Sequence, residues 1–379
     1  MAELADAPAL GAGGATRGSS SLPPSTHDMG KFIILAAIIT IVSFGLLKYA
    51  QKKPAQDFFD HAAQKELSPG QHEFSIEHGG ISRRYIVYLP ISYNKANVAP
   101  VIFNFHGGGG NAESNISMAN MNETADKYGF IVVYPEGTGV KIFGKTIAAW
   151  NTGTDERIVH VDDVGFIAVV IEKIKSDFNG NPARIYATGI SNGAQMAYRL
   201  ACELSGTIAA IAPVAAQGVT APCNSQRPMP IMHFHGTEDM CAPYAGGICG
   251  GCIQKYFKAT IGIEIKQVQF QCDPVPEYIK KWITINRIAD TAPHIVYQNN
   301  SAQCIAYGKD EPGEVVLCTV DGMGHTWPGG TYGIPCEGGL DAKKCRQWIS
   351  VVGKLNADIS ANEIMWEFFK KHDLFEKVK

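Results

Sequence analysis

The run Gly189-Ile190-Ser191-Asn192-Gly193 constrains the fold of this 379-residue chain more than any other feature. It follows a short β-forming run, residues 184–188, and precedes a helical pattern over residues 192–204. A serine between two glycines at a strand–turn–helix junction is typical of a nucleophile elbow, a tight turn that exposes the hydroxyl at the edge of a sheet. The alternative is a glycine-rich helix start that binds nothing, and the flanking strand and helix favour the elbow.

The rest of the chain alternates between strand and helix patterns. Strands are predicted at 84–89, 101–105, 130–134, 208–214, 231–234 and 315–319, and helices at 116–127, 163–178, 276–286 and 362–371. This alternation predicts a mostly parallel central sheet with helices on both faces. Residues 245–275 interrupt it with glycine pairs and cysteines, which predicts a cysteine-rich insertion on an α/β scaffold.

A second glycine-rich element follows the strand predicted at 101–105. His106 and the four glycines after it match the loop that supplies one backbone N–H of an oxyanion hole, and the residue after the serine supplies the other. The sequence therefore predicts donors from Gly107 or Gly108 and from Asn192. A flexible loop and a phosphate-binding loop are the alternatives. A phosphate-binding loop of the Walker type requires a Gly-Lys-Ser/Thr ending, which is absent here.

A serine nucleophile also needs a histidine base and an acid that orients it, in the chain order serine, acid, histidine. His325 is the one histidine after Ser191 that lies in a glycine-flanked loop behind a late strand, whereas the others are His233, His235, His294 and His372. Asp239 directly follows the strand predicted at 231–234, and its rivals are Glu238 and Asp273, with Asp321 as a helper. Together with the elbow, this order predicts the α/β-hydrolase fold.

The N-terminal part of the chain divides into three segments. Residues 1–31 are rich in Ala, Gly, Ser and Pro and are predicted to be a disordered tail. Residues 32–47 are an unbroken apolar run, which predicts a transmembrane signal anchor or the core of a cleaved signal peptide, with a buried core helix as the remaining alternative. A polar linker, 48–71, leads to a catalytic domain over 72–379.

The charges beside the apolar run and the cysteines predict different compartments for the C-terminal domain. More lysines follow the run than precede it, which would keep the C-terminal domain in the cytoplasm, whereas a start at Met29 would give a short basic segment typical of export. All ten cysteines lie between Cys202 and Cys345, and such a set favours disulfides formed outside the cytoplasm. A four-thiolate zinc site of Cys241, Cys249, Cys252 and Cys272 is the alternative.

Composition excludes one class of partner. Charged residues make up 18% of the chain and the net charge is −3, so no basic surplus points to nucleic acid.

Several motifs in a fixed order resemble those of a known family over about residues 72–373. They are HGGGG, YPEG (Tyr134–Gly137), DDVGF (Asp162–Phe166), GISNGAQMAYRLAC, HFHGTED, GHTWPGG and ISANEIMWEFFKKH. The chain is similar in these to the esterase family of polyhydroxybutyrate depolymerase-like proteins and feruloyl or acetylxylan esterases. The resemblance implies an exported serine ester hydrolase without metal or organic cofactor, acting on polysaccharide-linked or polyester substrates.

The resemblance also implies roles for single residues. It implies Ser191, Asp239 and His325 as the catalytic triad. Trp150, Tyr244 and Trp327 either line the substrate cleft or pack in the core, the commoner fate of an aromatic ring. The segment 247–274 is longer and richer in cysteine than the family pattern. Proximity in sequence suggests three disulfides, Cys202–Cys223, Cys304–Cys318 and Cys336–Cys345.

Two hypotheses of other classes stay open beside the esterase. A catalytically silent, membrane-tethered binding module could keep the fold, although such a decayed hydrolase usually loses a triad member, and all three are present here. A zinc-dependent hydrolase could use the Cys-x-x-Cys pair, but the sequence shows no His/Glu ligand set around an open metal position.

Overall fold

A ten-stranded sheet organises the computed structural model, which describes residues 67–142, 145–218, 223–262, 264 and 268–374. The strands of the described residues are β1 (Gly70–His78), β2 (Ile81–Leu89), β3 (Ala99–Phe105), β4 (Ile131–Pro135), β5 (Thr138–Ile142), β6 (Lys145–Ala149), β7 (Gly180–Ile190), β8 (Ala210–Val214), β9 (Ile231–Gly236), β10 (Gly247–Cys249), β11 (Phe270–Cys272), β12 (His294–Asn299), β13 (Ala302–Tyr307) and β14 (Val315–Val320). The helices are α1 (Ala112–Ala119), α2 (Met121–Tyr128), α3 (Asp163–Phe178), α4 (Asn192–Glu203), α5 (Cys252–Ile261), α6 (Val275–Ile285), α7 (Lys343–Val352) and α8 (Ala361–Phe369), with a 3₁₀ turn at Ile334–Cys336.

The order of the large sheet is β1-β2-β4-β3-β7-β8-β9-β14-β13-β12. Its six central strands, in the order β4, β3, β7, β8, β9 and β14, run parallel to one another. The two strands at each edge, β1 and β2 on one side and β13 and β12 on the other, are each antiparallel to their neighbours. From β3 the chain turns first to β4 on one side and later to β7 on the other. In open α/β sheets the crevice at such a reversal, beyond the carboxyl ends of the strands, is where ligands bind. The fold is the predicted α/β-hydrolase fold.

Both faces of this sheet are buried, as the parallel central strands require. On β3, Val101, Phe103 and Phe105 pack into one apolar cluster with α3 and α4, while Ile102 points into the second cluster with α8. Alternate residues of one strand therefore serve two cores, which explains why Val101, Ile102, Phe103 and Phe105 are all apolar.

The helix predicted at 116–127 is wrong in one respect, because two helices, α1 and α2, occupy this region. Asn120 separates them in the left-handed conformation, with φ 48°, and its N–H donates to Ile116 O. Asparagine adopts this conformation more readily than most residues, so one residue ends the first helix and begins the second. The helix predicted at 163–178 is confirmed, and Asp162 caps it by accepting from the Gly165 N–H.

The described residues include all ten cysteines, and these form five disulfides. Three of them, Cys202–Cys223, Cys304–Cys318 and Cys336–Cys345, are the predicted pairs. The other two, Cys241–Cys252 and Cys249–Cys272, fasten the insertion. It consists of the antiparallel strands β10 and β11 and of α5, which lies between them in the chain. The zinc alternative is wrong in this structure, because all four of its thiolates are consumed in these two bridges.

The predicted tail 1–31, the apolar run 32–47 and most of the linker 48–71 lie outside the described residues. The first strand begins at Gly70, two residues before the predicted start of the domain. Within the described part of the chain, no helix is long and apolar enough to cross a membrane.

Candidate active site

Ser191 stands at the carboxyl end of β7, at the reversal of the sheet. Its backbone has φ 59° and ψ −123°, a conformation that is rare and strained for a residue with a side chain, and its N–H donates to Val214 O at 2.9 Å. The flanking glycines are required because α4 crosses β3 closely. A side chain at Gly189 would lie 2.6 Å from Phe105 O, and one at Gly193 would collide with the same oxygen. The predicted elbow is therefore present.

Asp239 and His325 follow β9 and β14 at the same edge of the sheet. His325 Nδ1 lies 2.8 Å from Asp239 Oδ2, and both side chains are buried. The second carboxylate oxygen accepts the N–H groups of Cys241 and Ala242, both at 2.8 Å. Burial alone would raise the pKa of Asp239, but the charge and hydrogen bond of His325 hold this pKa below its ordinary value. The carboxylate is thus ionised and fixed in position.

The other nitrogen of His325 is the chemically available atom. Since Nδ1 faces the carboxylate, it carries the proton, and Nε2 keeps a lone pair. Nε2 is buried and has no hydrogen-bond partner among the described residues. His325 and Ser191 line the same cavity. The hydrogen bond between a nucleophile and its base is often long or poorly aligned in a free enzyme, and it tightens when the substrate binds.

The rival acids and bases lie elsewhere. Glu238 is exposed, and Asp273 pairs with Lys281. Asp321 accepts from the Thr237 hydroxyl at 2.8 Å. Of the remaining histidines, His294 pairs with Asp290 and His372 lies near Glu314.

The glycine loop after β3 is held by His106. The Gly137 N–H donates to His106 Nε2 at 3.0 Å, so Nδ1 carries the proton and donates to Gly107 O at 2.8 Å. Burial lowers the pKa of His106 to about 4, against a smaller raising effect of this hydrogen bond, so the ring is neutral at pH 7. Gly110 N–H also donates to Gly107 O. The Gly107 carbonyl and the Gly108 N–H belong to the same trans peptide, so they point in opposite directions. The Gly108 N–H therefore points away from the two donors that bind Gly107 O.

Gly108 also lies beside the start of α4. A side chain placed there would meet Asn192 Cβ at 3.5 Å. Because Asn192 is the first residue of α4, its N–H has no partner within the helix. Gly107, Gly108 and Ser191 all line the first of two cavities. The structure thus brings together all three predicted oxyanion residues and favours Gly108 over Gly107 as the donor.

Trp150 connects these two donors, a role that sequence reasoning missed. The Asn192 side chain accepts from Trp150 N–H at 2.7 Å and donates to Trp150 O at 3.2 Å. The indole N–H donates to His106 O at 3.0 Å. One residue therefore ties the glycine loop to the first turn of α4. Trp150 also lines the second cavity, as predicted for the cleft, although its side chain is almost completely buried.

The other two predicted cleft aromatics lie apart from Ser191. Trp327 is 0% exposed, packs in the second core cluster and donates its indole N–H to Asn362 Oδ1, so its prediction as a cleft residue is wrong. Tyr244 packs against His235, and its hydroxyl bonds to the Thr319 hydroxyl; it lines neither of the two cavities at Ser191. Nothing local in the sequence distinguishes a core tryptophan from one in a cleft.

A buried chain of polar groups lies behind Asp239. His235 Nε2 donates to Ala242 O at 2.7 Å, so its Nδ1 accepts from His233 Nε2 at 3.0 Å, and His233 Nδ1 accepts from the Tyr198 hydroxyl at 2.8 Å. Burial lowers the pKa of both histidines, which keeps them neutral. His235 Nε2 also lies 3.5 Å from Asp239 Oδ2. The N–H at the end of the chain thus bonds to Ala242 O and lies beside the Asp239 carboxylate.

Two cavities meet at Ser191. The first has a volume of about 180 Å³ and a mainly apolar lining that includes His325 and four aromatic residues, Tyr256, Phe257, Tyr332 and Trp348. The second, of about 350 Å³, is lined partly by polar side chains such as Gln195 and Gln217.

One group of metal-ligand type lies in the described residues at the site. Ligand atoms of Asp239, Cys241 and His325 lie within 4.8 Å of one another. The sulfur of Cys241 is bonded to Cys252, and the other two residues bond to each other. The closeness of these three side chains is therefore explained by this disulfide and this hydrogen bond.

A family model described as esterase PHB depolymerase matches residues 83–239 of the chain. Residues 83–239 are therefore similar to this esterase family. The matched range includes HGGGG, the elbow and Asp239, and it ends before the insertion and His325.

Curated relatives agree with this family. Feruloyl esterase B of Piromyces equi is 30% identical over 257 residues, which is 66% of this chain and 44% of that protein. The bifunctional acetylxylan esterase/xylanase XynS20E of Neocallimastix patriciarum is 31% identical over 160 residues, 42% of this chain and 22% of that protein. The chain thus spans less than half the length of these two relatives.

Solved structures of esterases also align with the chain. The acetyl xylan esterase from Aspergillus awamori has a TM-score of 0.46 and 16% identity, covering 74% of this chain and 100% of that one. The likeness is loose, and the fold assignment rests on the strand order and the elbow of the chain itself.

Proposed function

We propose that this protein is a serine carboxylic ester hydrolase that works through an acyl-enzyme, with Ser191 as nucleophile, His325 as base and Asp239 as its orienting acid. The observation that carries this proposal is the Nε2 of His325, which is buried without a hydrogen-bond partner among the described residues, is backed by an ionised Asp239, and belongs to a residue that lines the cavity of Ser191. A neutral imidazole with one nitrogen fixed and the other free is the state required of a general base.

The proposed reaction has two halves. His325 Nε2 takes the proton of the Ser191 hydroxyl as Oγ attacks the acyl carbon, and the resulting oxyanion is stabilised by the N–H groups of Gly108 and Asn192. His325 then gives that proton to the leaving alcohol, and the acyl group stays on Ser191. Water, deprotonated by the same nitrogen, releases the acid and restores Ser191.

The proposed substrates are aromatic-acid esters, of the feruloyl type, or acetyl esters of polysaccharide. The activities named for the relatives support this choice. A polyester of the poly(3-hydroxybutyrate) type is the second candidate, favoured by the description of the family model. The intact pair of Asp239 and His325 beside a strained Ser191 argues against a catalytically silent binding module.

We also propose that the domain works outside the cytoplasm. Five disulfides support export, because cytosolic thiols are kept reduced. The apolar run 32–47 would serve as a membrane anchor or as a signal that is cleaved.

The test is an activity measurement on the full chain in detergent. Wild type should hydrolyse p-nitrophenyl acetate and butyrate, and Ser191→Ala should lower kcat by about 10⁴-fold or more. A parallel screen on methyl ferulate, acetylated xylan and a hydroxybutyrate oligomer would rank the substrate classes. Unchanged activity in Ser191→Ala would contradict the proposed mechanism.

A further inference from the structure

A single aromatic residue lines both cavities at Ser191. The residues that line both are Gly108, Gly109, Ser191 and Phe257. Two of these four are glycines without a side chain, and Ser191 is the nucleophile itself. Phe257 is therefore the one bulky group on the boundary among the lining residues that the structure describes.

Phe257 is carried by the cysteine-rich insertion and not by the α/β scaffold. It lies on α5, whose first residue, Cys252, is bridged to Cys241. Cys241 in turn donates its N–H to Asp239. The neighbouring Tyr256 packs edge-on against Trp348, with ring centroids 5.0 Å apart. The backbone beside Phe257 is thus fixed at two points.

The Phe257 ring itself is only partly buried. Tyr256 packs against the small cluster of α7 residues, whereas Phe257 is not a member of any buried cluster in the described residues. A large apolar ring that is anchored through its helix but faces two cavities contributes little to core packing. Its position fits a role in shaping the cleft.

The chemistry of ester cleavage decides which half of the substrate lies on which side. The leaving oxygen must contact the nitrogen that protonates it, His325 Nε2. His325 lines the smaller cavity and is absent from the lining of the larger one. The alcohol half therefore belongs in the smaller cavity, and the acyl half extends past Phe257 into the larger cavity.

We propose that Phe257 determines specificity by limiting the width of the alcohol subsite beside Ser191 to a single ring, with the acyl group on the other side of its side chain. This inference rests on the proposed esterase function. A cavity of about 180 Å³ suits one ring, since an apolar cavity of about 150 Å³ takes up benzene. Removing the ring of Phe257 joins the two cavities and admits a larger alcohol.

The experiment compares esters that share an acyl group and differ in the alcohol. For full-chain protein, kcat/KM is measured on p-nitrophenyl acetate, with one ring, and on 4-methylumbelliferyl acetate, with two fused rings. Phe257→Ala should raise the two-ring to one-ring ratio by at least about tenfold. Phe257→Trp places a larger side chain at the same position and should lower this two-ring to one-ring ratio. This variant keeps the test decisive if the alanine variant does not fold. The butyrate to acetate ratio of p-nitrophenyl esters should change less than threefold.

The matched control is Lys258→Ala, one position along α5. Its side chain is 66% exposed, so the ratio should stay at the wild-type value. An unchanged alcohol ratio in both Phe257 variants, or a change confined to the acyl series, would overturn the role of Phe257 while leaving the esterase intact. Absence of hydrolysis of both acetates by the folded wild type would instead overturn the proposed function, and this inference with it.

Discussion

Single residues behind the candidate triad do much of the positioning in this protein. His106 donates to Gly107 O of the glycine loop and accepts from the Gly137 N–H, and Trp150 ties that loop to Asn192. His235 performs a similar task for Asp239, because its Nε2–H donates to Ala242 O and lies 3.5 Å from the carboxylate. The histidines of the HGGGG and HFHG motifs therefore orient neighbouring groups and do not transfer protons to the substrate.

We predict that His235→Phe lowers kcat about tenfold, equivalent to roughly 1.4 kcal/mol in the barrier, with little change in KM. The substitution keeps a ring of similar size but removes the donor beside Asp239, so the carboxylate orients His325 less well. Steady-state kinetics on p-nitrophenyl butyrate would measure this. Tyr198→Phe, at the far end of the same chain, is the control and should keep the wild-type kcat. Equal losses in both variants would show a general packing effect instead.

At the scale of elements, the elbow exists because α4 crosses the end of β3 at very short distance. Gly189 and Gly193 are the two positions where no side chain fits against the Phe105 carbonyl. The local pattern of strand, glycine and helix was enough to predict this junction. The break between α1 and α2 was missed, since the apolar spacing of a helix continues through Asn120 while its backbone does not.

We predict that Gly193→Ala destabilises the protein by about 3 kcal/mol or more, because the new methyl group would displace α4 from β3. Urea unfolding monitored by tryptophan fluorescence would show the shift, and activity should fall with it. Gly338→Ala is the control: its added carbon would meet only the Ala342 side chain, at 3.7 Å. A Gly193→Ala protein as stable as the Gly338→Ala protein would contradict the close approach.

On the scale of the whole molecule, the parallel sheet brings together residues that are far apart in sequence. Ser191, Asp239 and His325 each follow a central strand, and the carboxyl ends of those strands share one edge. The order of strands and loops was readable from the sequence, and with it the candidate triad. The burial of Trp327 and the place of Phe257 were not, because both depend on contacts between distant segments.

The buried neutral histidines make the fold sensitive to acid. His106 has its pKa lowered to about 4 by burial, whereas in the unfolded chain it titrates near 6.5, so between these values the unfolded state binds more protons. Stability should therefore fall as pH drops from about 7 to about 4, by about 3 kcal/mol from His106 alone. His233 and His235 act in the same direction.

Melting temperatures measured from pH 7 to pH 4 would show this decline. His106→Gln should flatten the pH dependence relative to wild type, although it lowers stability at pH 7. His160→Gln changes an exposed ring and should leave the slope as it is. An equal slope in His106→Gln and wild type would contradict the neutral, buried state of His106.

The most direct test of the central claim is to find which residue reacts with a fluorophosphonate. Wild-type protein, labelled at pH 7.5 and digested, should carry one adduct on the peptide that contains Ser191, located by mass spectrometry. His325→Ala should label far more slowly, because Ser191 then lacks its base. An adduct on another residue, or no adduct on protein that is folded by circular dichroism, would contradict the account.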